Sequence, residues 1–211
     1  MKLLIIGATG GTGRELVKQA LELGHKITIL VRNSEKVLTV HPSLQVINGN
    51  VLNIKEVEQA VSGQDAVISS LGHKRFFIKT NILSEGTKNI IASMEKQNVK
   101  RFICITTLGI NDSRFRLGLY YTLFTIPIIL FFYFRDKSKQ EKLIMNSKLD
   151  WTIVRPGQLT NSKLTGEYQV GNNVGNYFIT KTISRANVAH FILSQLCDKT
   201  FFHKKVGIVN R

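Results

Sequence analysis

A chain of 211 residues with 43% hydrophobic side chains suits one ordinary domain and is too apolar for low-complexity disorder. Two cysteines, Cys104 and Cys197, cannot build a disulfide framework, and with His scattered at 25, 41, 73, 190 and 203 no metal cluster is expected. The 29 Lys and Arg against 14 Asp and Glu leave a net charge of +15. These cations are spread out, with modest clusters at Lys74–Arg75 and Arg135–Lys142, which reads as solvated surface or attraction to a small anion, and no nucleic-acid partner is expected.

Short apolar runs alternate with helical stretches. Lys2–Ile6 reads as a buried strand ended by Gly7, and Arg14–Leu23 as a helix with apolar residues at 16, 17, 20, 21 and 23, stopped by Gly24. Strands are expected at His25–Val31, Leu44–Ile47, Ala66–Leu71, Arg101–Thr106, Trp151–Val154 and Val206–Val209. Helices are expected at Ile54–Val61, Asn81–Gln97, Lys137–Ser147 (charged and amphipathic) and Ser184–Leu196, the last with Ser184 as its N-cap and His190 on its core side. Leu159–Tyr177 is polar and turn-rich and reads as an excursion carrying a small hairpin. The alternation predicts a single α/β domain over 1–211, with a doubly wound parallel sheet of Rossmann type.

The apolar start is too short for a signal peptide, so a cytoplasmic location is expected. Leu117–Phe134 is uncharged throughout and only just reaches the length of a membrane span. Pro127 interrupts it and charges flank it. It is expected to form an apolar lid or buried helix pair, with at most peripheral membrane contact.

Gly7-Ala8-Thr9-Gly10-Gly11-Thr12-Gly13 joins the first strand to the first helix. Glycine permits the tight turn and lets main chain approach a pyrophosphate, while the helix N-terminus offers N–H groups and a positive dipole end. The acid that usually follows the second strand, and accepts from an adenosine ribose, is absent. Arg32 stands there with Lys36 one turn on, which points to a 2′-phosphate and hence to NADP(H).

These motifs, GATGGTG, VRNSEK, SSLGHK and DWTIVRPG, resemble those of the atypical short-chain dehydrogenase/reductases. The likeness is nearest to NAD(P)H-binding proteins similar to biliverdin IXβ reductase/flavin reductase, with the NmrA-like proteins more distant. The resemblance implies that Thr9, Gly10, Thr12 and Gly13 surround the pyrophosphate and Arg32 holds the 2′-phosphate. It implies that Asn50 and Val51 lie along the adenine, with Asn in place of the family's acid. Leu71, Gly72 and His73 match a loop covering the cofactor. Thr106 and Thr107 match a Thr-Ser pair beside the nicotinamide, and Pro156, Gly157 and Gln158 match a Pro-Pro-His stretch on its far side, with Gln158 replacing His.

Tyr133 and Lys137 have the Tyr-x-x-x-Lys spacing by which typical members of the superfamily lower a phenol pKa for proton transfer; Glu141 follows, and Thr107 supplies a hydroxyl. The alternative is that Tyr133 closes an aromatic lid and Lys137 is solvated. Lys74 and Arg75 are candidates to greet an anionic substrate, and Cys104 is expected in the core. The expected function is NADPH-dependent hydride transfer to a small-molecule acceptor, preferably an aromatic one such as a flavin or bilin, with quinones and carbonyls open, by a monomer or weak dimer. The alternatives are a non-catalytic NADP(H) sensor of NmrA type and a basic accessory protein of membranes or RNA.

Overall fold

The computed structural model describes residues 1–73 and 76–211. Its first strand, β1 (Lys2–Ile6), stands third in an eight-stranded sheet. From β1 the chain passes through α1 (Gly11–Glu22) to β2 (Lys26–Val31) and then to β3 (Leu44–Asn48), which lie on one side of it. After α2 (Ile54–Val61) it crosses to the other side. There β4 (Ala66–Ser69), α3 (Ile82–Lys96), β5 (Arg101–Ile105), a short helical turn α4 (Ile126–Ile128), α5 (Phe131–Met145) and β6 (Asp150–Pro156) follow in turn. The C-terminal half adds β7 (Gln158–Thr160), β8 (Tyr168–Gly171), β9 (Thr182–Ser184), α6 (Arg185–Ser194) and β10 (Lys204–Asn210). The sheet order is β3-β2-β1-β4-β5-β6-β10-β8, parallel except for the edge strand β8, which runs antiparallel to β10. The strand order reverses between β1 and β4, and a crevice opens there beyond the strand ends.

Alternation along β1 shows how the sheet is buried on both faces. Leu3 and Ile5 pack with Leu16, Ala20, Val188 and Ile192 of α1 and α6. Leu4 and Ile6 pack with Val57, Ile90, Met94 and Ile144 of α2, α3 and α5. Each such aliphatic side chain contributes about 1.5–3 kcal/mol on burial, so two apolar faces per strand select the doubly wound arrangement. Among the described residues no helix is long and apolar enough to cross a membrane.

Three local expectations are corrected. No hairpin forms within 159–177: β7 pairs in parallel with β9, and β8 pairs with the distant β10. The helix expected at Lys137–Ser147 starts earlier, at Phe131. Its inward residues Phe134, Lys137, Glu141 and Ile144 keep helical spacing, but two of them are charged, so apolar periodicity hides half of the face. His190 is exposed instead of core-facing, with its Nδ1 2.8 Å from the Tyr168 hydroxyl. Ser184 does cap α6, accepting from Asn187 N–H at 3.0 Å, and Cys104 is buried in the core, which raises its thiol pKa to about 11.

Candidate functional site

Gly7 ends β1 at φ +84°, where a Cβ would stand 2.6 Å from the Ser70 carbonyl oxygen. A Cβ on Gly13 would stand 2.2 Å from the Gly7 oxygen, so α1 runs directly against the turn only because position 13 lacks a side chain. Gly10 caps α1 without a side-chain acceptor, and the first turn holds no acid. The N-terminal N–H groups and positive dipole end of α1 therefore face no carboxylate of their own helix.

Arg32 and Lys36 are exposed beyond β2. Asn50 uses its side-chain oxygen to accept from Leu52 N–H at 3.1 Å, and Val51 beside it is buried. At the end of β4, Ser70 N–H donates to the Ile6 oxygen at 2.9 Å, carrying the chain on into Leu71, Gly72 and His73; the His73 Nε2 lies 3.0 Å from the Thr80 hydroxyl.

The opposite wall is held by a buried polar network on α5. Asp136 accepts from Leu83 N–H at 2.9 Å and Ser84 N–H at 3.1 Å, fixing α5 on the N-terminus of α3. Lys137 is 1% exposed and donates to the carbonyls of Leu71 at 3.0 Å and Ile105 at 2.8 Å, which corrects the solvated alternative. Glu141, fully buried, accepts from Thr106 Oγ1 at 2.7 Å, Asn111 Nδ2 at 2.7 Å and Arg155 Nε at 2.8 Å. Arg155 also forks onto Asp112, at 3.0 and 2.9 Å, and Lys205 reaches the same carboxylate at 2.8 Å. Burial alone would lower the Arg155 pKa, but the hydrogen bonds to Glu141 and Asp112 outweigh it and raise it. Burial would likewise raise Asp112, and the hydrogen bonds from Arg155 and Lys205 hold it below the usual carboxylate range. Thr107 turns its hydroxyl to the Leu108 oxygen at 2.8 Å.

Tyr133 packs edge-on against His73 and Phe76, with ring centres 5.0 and 5.6 Å away. Its hydroxyl lies 3.4 Å from where a Cβ on Gly72 would stand. The Lys137 nitrogen is 5.9 Å from the Tyr133 ring centre.

One cleft of about 1230 Å³ joins these parts. Gly7, Thr9, Gly10, Gly11, Thr12, Gly13, Arg32, Lys36, Asn50 and Val51 line one end and its floor; Leu71, Gly72, His73, Thr106, Thr107, Tyr133, Lys137, Pro156, Gly157 and Gln158 line the rest. The structure thus brings every sequence-expected site residue to the same wall system, except Lys74 and Arg75, which lie outside the described residues. Leu117, Tyr121, Leu130 and Phe134 of the uncharged segment also line it.

Sequence reasoning missed Arg185. It lines the cleft, and a Cβ on Gly11 would stand 2.6 Å from its Cδ and Nε, so its stem lies on the glycine turn. Its guanidinium donates to Asn161 Oδ1 at 2.7 Å. The signal was available: a cation directly after an N-cap, where a helix dipole favours an acid.

A family model described as NAD(P)H-binding matches residues 7–199. The chain belongs to this NAD(P)H-binding family. The glycines that a side chain would fill and the acid-free helix end fit such a cofactor. An uncharacterised chloroplastic protein of Arabidopsis thaliana is 30% identical over 225 residues, covering 100% of this chain and 77% of the relative. An anaerobilin reductase from Escherichia coli has the same fold at TM-score 0.82 and 22% identity, covering 100% of this chain and 97% of that one. A short-chain dehydrogenase/reductase from Veillonella parvula in complex with NADP matches at TM-score 0.83 and 20% identity, covering 99% and 94%. These two structures share the fold of this chain, and the family is the NAD(P)H-binding one.

Proposed function

We propose that this NAD(P)H-binding protein is an NADPH-dependent reductase that delivers hydride to a planar aromatic acceptor, a flavin or a bilin. One continuous cleft carries this reading: a cationic, glycine-built end opens directly into an aromatic and aliphatic end formed by Tyr121, Leu130, Tyr133 and Phe134. The bilin reductase among the structural neighbours has the same fold and favours the same acceptor class.

The lining of the cleft supports the following roles within this proposal. The first turn of α1 and Arg185 hold the pyrophosphate, and Arg32 with Lys36 hold the 2′-phosphate by charge-assisted hydrogen bonds. Asn50 and Val51 flank the adenine. Thr106, Thr107, Pro156, Gly157 and Gln158 form the wall beside the nicotinamide, and Leu71, Gly72 and His73 cover it. The bound nicotinamide supplies the hydride. The uncharged segment acts as a lid that excludes water and seats the acceptor by apolar contact and ring stacking. Lys137 and Glu141 act as positioning residues, because their polar atoms are spent on main-chain carbonyls and on Thr106, Asn111 and Arg155.

Titrating both nucleotides and screening NADPH oxidation against flavins, bilins, quinones and carbonyls tests the reading. NADPH is expected to bind more tightly than NADH. Arg32→Ala should cost NADPH about 1.5–3 kcal/mol, roughly a 10- to 150-fold loss, and leave NADH nearly unchanged. Equal affinities in the wild type overturn the cofactor preference. An absence of turnover with flavins and bilins overturns the acceptor.

A further inference from the structure

The stretch between Leu117 and Phe134 has two apolar sides. Its inner side, through Leu117, Tyr121, Ile126, Leu130 and Phe134, packs on the body of the protein with Leu108, Ile110 and Val209. Its outer side should then be polar, as on any surface helix, yet the sequence offers no charge there. Leu123 is 54% exposed and Ile128 67%, with Tyr120 and Phe124 beside them, ring centres 6.1 Å apart.

A second segment enlarges the face. Gly118 N–H donates to the Asn176 oxygen at 2.9 Å, Leu119 N–H to the Phe178 oxygen at 3.4 Å, and Thr180 Oγ1 to the Leu117 oxygen at 3.0 Å. These bonds fix the 176–180 loop alongside, where Phe178 is 79% exposed and Ile179 66%. Single exposed hydrophobic residues are ordinary; a contiguous group from two tethered segments marks an interaction surface.

Charge identifies the partner. Residues 113–135 and 168–184 contain Arg114, Arg116, Arg135 and Lys181 and no Asp or Glu. The whole chain carries +15, so a second copy would meet like charge across the face. Aromatic and aliphatic side chains in segments that carry cations and no carboxylate match the surface of an anionic bilayer, where apolar insertion and attraction to lipid headgroups add.

We infer that Tyr120, Leu123, Phe124, Ile128, Phe178 and Ile179 form a docking surface for an anionic lipid bilayer. The protein lies on the membrane without spanning it, since none of its described helices is long and apolar enough to cross. The segment that docks also lines the cleft through Leu117, Tyr121 and Leu130. Resting on the reading of that end as the acceptor site, docking gives an acceptor dissolved in the bilayer a short path into it.

Co-sedimentation of the full chain with vesicles tests the surface separately from any turnover. Phosphatidylcholine mixed with phosphatidylglycerol should bind the protein, phosphatidylcholine alone should not, and added salt should release it. Phe124→Asp with Phe178→Asp should weaken binding by about ten-fold or more while the unfolding midpoint stays in place, because both side chains are exposed. In Phe124→Trp the emission should shift to the blue on adding anionic vesicles. No binding to anionic vesicles overturns the inference. So does binding that the two Asp substitutions leave unchanged, which would be adhesion by charge alone. A wild-type dimer that those substitutions make monomeric overturns it as well, by assigning the face to a second copy.

Discussion

At the glycine-turn end of the cleft the shape is set by main chain: Gly7 at φ +84°, Gly13 against the Gly7 carbonyl, and the bare first turn of α1. At the Tyr133 end it is set by side chains from separate parts of the chain, with Glu141 tying Thr106, Asn111 and Arg155 together, and Lys137 tying the ends of β4 and β5. The first kind of site is local in sequence and rigid by backbone geometry. The second depends on long-range contacts, any one of which can be cut by substitution. The two ends should therefore respond differently to mutation: the Tyr133 end in stability, the glycine end in nucleotide affinity.

The largest effect tests the side-chain end. Glu141→Ala leaves the guanidinium of Arg155, 3% exposed, with Asp112 as its remaining carboxylate, and strips Thr106 and Asn111 of their acceptor. Removing one partner of a buried ion pair costs about 3–5 kcal/mol. Urea unfolding should show a loss in that range, and a loss below about 1 kcal/mol would mean that the network does not hold this wall.

The same contrast decides what could be read from the sequence. The order of strands and helices, the glycine turn and Arg32 are visible because each is a short local pattern: period two or 3.6, a Gly spacing, a missing acid. The start of α5 is not visible, because its buried face mixes Phe134 and Ile144 with Lys137 and Glu141, and periodicity counts only apolar residues. His190 misleads for the opposite reason. Nearly every side of α6 is buried, so the helix has no polar face to orient it. The β8–β10 pairing joins strands far apart in sequence, which no local signal reports.

A middle-sized effect tests the glycine end. Arg32 and Arg185 are both cations on the cleft, but one stands beyond β2 and the other lies along Gly11. Arg185→Ala should weaken NADPH and NADH alike, by about 10- to 100-fold, since both share the pyrophosphate. A loss confined to NADPH moves Arg185 to the 2′-phosphate, and unchanged affinities remove it from the nucleotide site. Calorimetric titration with both nucleotides separates the three outcomes.

The smallest effect concerns Tyr133. If it were a proton donor activated by Lys137, Tyr133→Phe would lower turnover by about 10²- to 10⁴-fold, the usual scale of general acid catalysis. The geometry argues for less. The ammonium of Lys137 is committed to the Leu71 and Ile105 carbonyls and sits 5.9 Å from the centre of the phenol ring. Tyr133 itself is packed edge-on between His73 and Phe76, as a wall residue would be. Hydride delivery to a flavin or bilin places the new electron pair on a conjugated ring system whose heteroatoms can take their proton from water. Flavin reduction by Tyr133→Phe should therefore stay within a few-fold of wild type in steady-state kinetics, with NADPH affinity unchanged. A drop of about 100-fold in turnover at unchanged affinity would make Tyr133 a catalytic acid and Lys137 its partner. The side-chain end of the cleft would then perform chemistry as well as seat the acceptor.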